Sequence, residues 1–329
     1  MKALALFSGG LDSTLAIKLI RAQGIEVIAL HCITPFARYE KEEKERLAQK
    51  LKEQLGAELK VIELGDEFLE IVKNPKFGYG KNLNPCIDCK ILMLQHARQL
   101  MKAFDASFII TGEVVGQRPK SQHRDTLRLI EKGAGLEGLL LRPLSAKLLA
   151  PTVAETKGWV KRENLFDMNG RTRKPQMQLA EKLGIKDYAW PAGGCLLTVS
   201  SFCGRVKDLL EHNDLTRDNV RLLHIGRHFR VTPFFKLVVG KDEKQNARLL
   251  DLAKPADVIF EPHELPGPTG LGRGMGDDNA KVVASEIIAR YSALGNEEVR
   301  IIIRSALPEK EEVVFARGID EKKLREFMR

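Results

Sequence analysis

Leu4-Ala5-Leu6-Phe7-Ser8-Gly9-Gly10-Leu11-Asp12-Ser13-Thr14 is the stretch that decides the fold. The apolar run Leu4 to Phe7 has the length of a fully buried strand, and an apolar-periodic helix follows from about Thr14 to Arg21. Between them, Gly9 and Gly10 let the backbone turn tightly and approach an anion without a Cβ in the way. The free N–H groups of the first helical turn, aided by the Ser8, Ser13 and Thr14 hydroxyls, can then cradle phosphate oxygens. No lysine follows the glycines as a P-loop requires, and the spacing is not G-x-G-x-x-G. Asp12 inside such a nest repels phosphate unless Mg²⁺ sits between them.

Outward from this loop, strands and helices alternate. Ile25 to Leu30, Lys60 to Leu64 and Phe108 to Ile110 read as strands, and Glu40 to Leu55 and Ile91 to Phe104 as helices. That alternation predicts an α/β domain with a doubly wound parallel sheet over residues 1–210, its ligand at the carboxyl ends of the strands. Residues 211–329 predict a smaller α+β domain. It opens with β-rich runs at Leu222–Val231 and Phe234–Val239 around Thr232-Pro233, which read as a hairpin. Asp242 with Gln245 marks a helix start. A loop, PHELPGPTGLGRGMG, follows, then a helix from about Asn279 to Leu294 and a final strand-strand-helix.

Composition excludes several classes. The chain has 329 residues, 43% hydrophobic and 29% charged, which fits globular domains and not disorder. No apolar run reaches the roughly 18 residues of a membrane helix, and the glycine-rich start is unlike a signal peptide, so a cytoplasmic place is expected, with no membrane partner. Five cysteines in a chain this long are no disulfide framework and point to metal binding or catalysis. The net charge of +9 favours a polyanionic partner.

SGGxDS after a first strand resembles the PP-loop of ATP pyrophosphatases, which split ATP into AMP and pyrophosphate while adenylating a carbonyl oxygen. The resemblance implies their HUP-like fold and ATP with Mg²⁺ as cofactors. It puts Ser8, Gly9, Gly10, Asp12, Ser13 and Thr14 on the nucleotide, with Asp12 as the Mg²⁺ ligand. Thr111-Gly112-Glu113-Val114-Val115-Gly116-Gln117, then Ser121-Gln122, resembles the TGE-x-x-GQ-x-x-SQ segment of the tRNA 4-thiouridine synthetases (ThiI), and Leu141-Arg142-Pro143-Leu144 their later RPL. Thr111 and Gly112 thus join the ATP site, and Gln117, Arg118, Lys120 and Gln122 are expected to face RNA. Arg124 and Arg128 supply further positive charge for phosphate. An RNA-binding extension ahead of Ser8 and a rhodanese-like tail, both part of that family's pattern, are not expected here.

The cysteines divide into a C-x-x-C, Cys86 and Cys89 in NPCIDCK just before a helix, and Cys195 in PAGGC. A C-x-x-C alone is ambiguous among zinc, a redox pair and a cluster, but no second pair with finger spacing exists. Three thiolates can hold a [4Fe–4S] cluster with one iron open. A C-x-x-C with one remote cysteine in a PP-loop chain resembles the cluster-dependent tRNA thiolases, which makes Cys86, Cys89 and Cys195 expected cluster ligands and, with Asp12, catalytic residues. NPCIDCK resembles equally the first cysteine segment of the 2-thiouridine synthetases (MnmA), whose chemistry runs through a persulfide, so both routes stay open. Cys32 and Cys203 read as packing residues.

Gly226-Arg227-His228-Phe229-Arg230-Val231, Val238-Val239-Gly240-Lys241-Asp242 and PHELPGP resemble the NFACT-R module, proposed to bind RNA. Arg227, His228 and Arg230, with Lys236, Lys241 and Lys244, interleave with Phe229, Phe234 and Phe235, a pattern suited to phosphate contact and base stacking. The reading reached is an AMP-forming tRNA sulfurtransferase; the TGE-x-x-GQ segment points to 4-thiouridine as its product, and the resemblance alone implies position 8. Its expected partners are tRNA and a sulfur donor (inorganic sulfide or a cysteine desulfurase), and a homodimer is admissible. The rivals are 2-thiouridine synthesis, a PP-loop ligase acting on a small molecule, and an RNA-binding module with a regulatory nucleotide site.

Overall fold

Each predicted strand of the first half takes its place in one parallel sheet. The computed structural model describes residues 1–37, 41–186, 188, 195–294, 297–306 and 309–329, and divides them into two compact units, Met1–Thr198 and Val199–Arg329. In the first unit β1 (Lys2–Leu6), β2 (Glu26–Ile33), β3 (Glu58–Glu63), β4 (Phe108–Thr111) and β5 (Leu140–Leu141) lie in the order β3-β2-β1-β4-β5. All pairs are parallel. Alternate residues serve opposite faces. Ala3, Ala5, Val27, Ala29, Phe108 and Ile110 join one core, and Leu4, Leu6, Ile28, Leu30, Ile109 and Leu140 the other. Burial on both faces is why these strands read as unbroken apolar runs.

The helices of this unit are α1 (Leu11–Arg21), α2 (Lys41–Leu55), α3 (Asp66–Lys73), α4 (Cys86–Ala103), α5 (Arg124–Gly133), α6 (Val153–Thr156) and α7 (Lys174–Lys182). Ile17, Ile20, Leu51 and Leu55 from α1 and α2 cover the first face, while Ile87, Leu94, Ala97 and Ile130 from α4 and α5 cover the second. Helix α4 begins at Cys86 itself, so the C-x-x-C lies on its first turn and not ahead of it. The strand order turns back between β1 and β4, and the crevice outside their carboxyl ends is where such sheets take ligands.

The second unit contains α8 (Ser200–Glu211), α9 (Arg217–Leu222), β6 (Arg227–Thr232), β7 (Phe235–Val239), α10 (Glu243–Asp251), β8 (Val258–Pro262), β9 (Gly270–Gly274), α11 (Asp278–Arg290), β10 (Glu298–Ala306), β11 (Glu309–Arg317) and α12 (Glu321–Phe327). Its six strands form an antiparallel sheet ordered β11-β10-β8-β9-β7-β6. Helix α8, ahead of residue 210, belongs to this unit, since its Asp208 is bound by Arg230 and Lys236 of the β6–β7 hairpin. The Gly-rich segment read as loop contains β9. A Cβ at Gly270 would meet Ile288 at 2.6 Å, and one at Gly272 would meet Phe235 at 2.4 Å, so this strand is glycine where core side chains close over it. The start of α10 is as expected, with the Asp242 carboxylate accepting from the Gln245 N–H at 2.9 Å.

Candidate functional site

The loop after β1 closes through its own hydroxyls. Ser13 Oγ and Thr14 Oγ1 donate to the Gly10 carbonyl at 2.9 and 3.0 Å, and the Ser8 N–H donates to Ser13 Oγ at 3.3 Å. Both hydroxyls are therefore spent inside the turn, leaving the loop amides and the exposed Ser8 to face an anion. Gly9 has φ 76°, a left-handed conformation that glycine adopts without strain. Thr111 and Gly112 arrive from the end of β4, and Gly112 lies directly on the Asp12 backbone. The nucleotide residues expected from the sequence are thus gathered at one strand-end crevice.

Asp12 anchors a polar chain that runs to a helix the sequence reading left out. Its Oδ2 accepts from Gln117 Nε2 at 3.0 Å, and Gln117 Oε1 accepts from Gln176 Nε2 of α7 at 3.4 Å. Arg173 Nη2 stands 4.0 Å from the same Oδ2. Burial pushes the Asp12 carboxyl up, against the opposing pull of Gln117, Arg173 and Arg118. Its Oδ1 is buried with no hydrogen-bond partner among the described residues. A bare, hard carboxylate oxygen beside a phosphate loop suits Mg²⁺. Gln117, expected at an RNA surface, is held inside this chain, and Gln122 is buried, its carbonyl accepting from the Gly116 N–H.

Glu113 lies beneath the crevice, 4% exposed, and accepts from Thr111 Oγ1 at 3.0 Å and Arg142 Nε at 3.2 Å. Its other oxygen is 3.7 Å from Lys90 Nζ. Burial works to raise this carboxyl, but Lys90 and Arg142 outweigh it and hold Glu113 below the usual carboxylate range. Arg142 also donates to Glu131 and to the Leu127 carbonyl, so the RPL arginine is a structural anchor that ties β5 to α5.

The thiols converge from three parts of the chain. Asp88, inside the C-x-x-C, accepts from the N–H groups of Lys76 and Phe77 and fixes the preceding loop. Leu83 N–H donates to the Leu197 carbonyl at 3.1 Å, and Asn82 Nδ2 donates to the Thr198 carbonyl at 2.8 Å, which brings the exposed Cys195 to the start of α4. The Pro191–Gly194 stretch before Cys195 lies outside the described residues. Burial pushes the half-buried Cys89 up to about 12; Lys90 opposes this, and the charges of Cys195, Cys86 and Cys32 add to it. Cys32, read from sequence as packing, is therefore a fourth thiol within electrostatic reach of Cys89, and burial holds it at about 11. Burial also raises Cys86, against the pull of Arg118, Lys120 and Lys90. Lys90, next to Cys89, comes within 3.7 Å of Glu113, and Gly112 lies on the Asp12 backbone, so the thiol-bearing turn and the phosphate loop adjoin. Lys120, expected to face RNA, is pinned by its Nζ on the Gly78 carbonyl at 2.9 Å. Soft thiols of this kind suit an iron–sulfur cluster, yet among the described residues no three His, Cys, Asp or Glu groups are disposed to hold a metal ion.

The expected RNA contacts of the second unit divide. Arg230 is 4% exposed, with Nε and Nη2 on Asp208 at 3.0 and 2.9 Å and Nη1 on Asp214 at 2.9 Å. His228 is 1% exposed, its Nε2 on the Ile225 carbonyl at 2.8 Å. Both are interior groups: Asp208 on α8 draws Arg230 and Lys236 inward, and His228 is held at the Ile225 carbonyl. Arg227 stacks over Tyr291 with 4.4 Å to the ring centroid. Of the phenylalanines, Phe229 and Phe235 are core, and Phe234 is exposed at the hairpin tip.

A family model described as thiamine biosynthesis protein (ThiI) matches residues 1–147. The first unit carries a ThiI-family domain. A second model, the NFACT protein RNA binding domain, matches residues 226–328, so an NFACT-R domain follows the ThiI domain in the second unit. Among curated proteins, a probable tRNA sulfurtransferase of Thermococcus kodakarensis is 33% identical over 144 residues, 44% of this chain and 36% of that protein. A tRNA-specific 2-thiouridylase MnmA of Campylobacter concisus is 31% identical over 119 residues, 35% of each. The chain spans about a third of the length of the curated relatives it matches. A solved 4-thiouridine synthetase–RNA complex with bound ATP is 21% identical, covering 56% of this chain and 51% of that one, with a TM-score of 0.36. Among the described residues no helix is long and apolar enough to cross a membrane.

Proposed function

We propose that this chain is an ATP-dependent tRNA sulfurtransferase, and that 4-thiouridine at position 8 is its product. The observation that carries the reading is the 3.7 Å approach of Lys90, next to Cys89 of the C-x-x-C, to Glu113, whose neighbour Gly112 lies on the Asp12 backbone of the phosphate loop. Activation by ATP and sulfur insertion act on one carbon, so the two machineries must adjoin. The loop amides of residues 9–13 and the Ser8 hydroxyl hold the phosphates, and Asp12 offers its bare Oδ1 to Mg²⁺. The uridine carbonyl oxygen attacks the α-phosphorus and pyrophosphate leaves. Sulfur then attacks the activated carbon, and AMP departs with the original oxygen. The ThiI-family model, with its TGE-x-x-GQ segment at the end of β4, supports the 4-thio product.

Cys86, Cys89 and Cys195 would hold a [4Fe–4S] cluster that, when bound, supplies sulfide from its open iron. Inorganic sulfide or a cysteine desulfurase is the proposed sulfur source, and the NFACT-R domain the proposed tRNA grip, in the cytoplasm. Arg118 stays exposed at the mouth of the site for the RNA backbone. A second reading, 2-thiouridine synthesis through a persulfide, is favoured by the MnmA relatives. Mass spectrometry of nucleosides from the tRNA of a deletion strain and its parent tests both. Loss of 4-thiouridine supports the first reading, loss of 2-thiouridine the second, and an unchanged profile without a redundant enzyme rejects sulfur transfer to tRNA. Iron and sulfide analysis of anaerobically purified protein decides the cluster.

A further inference from the structure

The first turn of α7 stands beside the phosphate loop because the chain ahead of it is stitched to the end of β4. Gly170 N–H donates to the Val115 carbonyl at 2.8 Å, Val115 bridges Asn169, and Met168 N–H donates to the Leu144 carbonyl at 2.8 Å. Arg173 is thereby brought to 4.0 Å from Asp12 Oδ2, and the side chain of Gln176, 1% exposed, meets Gln117. Arg171, Arg173 and Lys174 crowd the positive end of α7, where the helix dipole disfavours cations. Among the described residues the one ion-pair partner of Arg173 is Asp12, at the limit of range. The amides of this turn offer little, since the Lys174 N–H is directed at Thr172 Oγ1 and Pro175 has none.

Two oxygens in the same place lack a donor. Asp12 Oδ1 and Gln176 Oε1 are both buried without a hydrogen-bond partner among the described residues. The crevice thus sets a guanidinium short of anionic charge beside bare oxygens short of a cation or a donor. A polyphosphate carrying a divalent cation meets both needs, and a lone anion or a lone metal meets only one.

We propose that Arg173 is the second jaw of the polyphosphate site, taking the β,γ-pyrophosphate of ATP held on the phosphate loop, while Gln176 positions Gln117 and through it Asp12. This rests on the ATP reading of the loop given above. When the substrate oxygen bonds to the α-phosphorus, the bond from that phosphorus to the α,β-bridging oxygen breaks. Its electron pair leaves with pyrophosphate, and the added negative charge develops beside Arg173.

Titration calorimetry on the full chain, with ATP, pyrophosphate and AMP in Mg²⁺, tests the jaw. Arg173→Ala is expected to weaken ATP and pyrophosphate about tenfold and to leave AMP within about twofold, with Arg173→Lys restoring most of the loss. Equal weakening of ATP and AMP, or no weakening, overturns the proposal. Gln176→Met, of similar volume, is expected to raise the Mg²⁺ concentration for half-maximal ATP binding about threefold or more. An unchanged Mg²⁺ dependence removes Gln176 from its positioning role. A wild-type chain that binds neither ATP nor pyrophosphate overturns the ATP reading itself. Normal ATP binding by wild type and by Arg173→Ala overturns the jaw alone.

Discussion

A Cβ on Gly112 would stand 2.4 Å from both the carbonyl carbon and the carbonyl oxygen of Asp12. The end of β4 is laid against the first turn of α1, and the curvature of the phosphate loop depends on the neighbouring strand as much as on its own glycines. Gly112→Ala must push the two apart. We expect it to destabilise the first unit by roughly 1–3 kcal/mol, the usual range for overpacking, and to weaken ATP binding. Urea unfolding and calorimetry read the two effects; a variant unchanged in both would show that loop and strand can separate freely.

Glu113 is the buried anion that Lys90 and Arg142 share. Glu113→Ala leaves the almost fully buried Arg142 with Glu131 alone and is expected to cost roughly 3–5 kcal/mol. Glu113→Gln keeps the shape and one acceptor, so its loss is smaller. Equal denaturation midpoints for Glu113→Ala and wild type would refute the anchoring role.

The thiols should separate kinetically in metal-free protein. The thiolate is the reactive form, and with Cys89 pushed up to about 12 and Cys32 to about 11, both are almost wholly protonated at pH 8. Of the four thiols at the site, the exposed Cys195 is expected to be alkylated first by iodoacetamide and Cys89 last, as read by peptide mass spectrometry. Rapid labelling of Cys89 at pH 8 would contradict the burial that governs it.

The second unit should carry an acid-sensitive element in Asp208. Burial works to raise this carboxyl, but the Arg230 hydrogen bonds and Lys236 hold it at about 2. A folded value below the unfolded one adds stability that is fully present above about pH 4 and is lost as pH falls through about 2. The contribution is roughly 2–3 kcal/mol. Asp208→Asn should flatten this acid limb in urea melts between pH 2 and 7 and lower stability at neutral pH. A wild-type stability independent of pH below 4 would exclude it.

The parallel sheet was legible because strands buried on both faces spell themselves as apolar runs, as Leu4–Phe7 and Phe108–Ile110 do. Helices α5 and α7 were not, since Arg124–Gly133 and Lys174–Lys182 are largely polar and their few buried residues make a faint stripe. Strand β9 was hidden by its glycines. At the site, motifs that stay local were readable: the glycine turn, the TGE strand end and the C-x-x-C. Pairings between distant residues were not, so Gln176, Arg173, Cys32 and the Lys90–Glu113 pair left no local signal. Arg230 and His228 misled for the opposite reason. Their residue types spell surface, while a single buried carboxylate on a preceding helix makes Arg230 part of the interior.

The stitch between Asn82-Leu83 and Leu197-Thr198 also sets an order of assembly. Every strand of the parallel sheet and the C-x-x-C helix have left the ribosome well before Cys195 is synthesised. The nascent chain therefore passes through a stage in which the C-x-x-C exists while the third thiol does not. Under the proposed sulfur-transfer reading, the third thiol can join the other two only when the last residues of the unit emerge and close the seam.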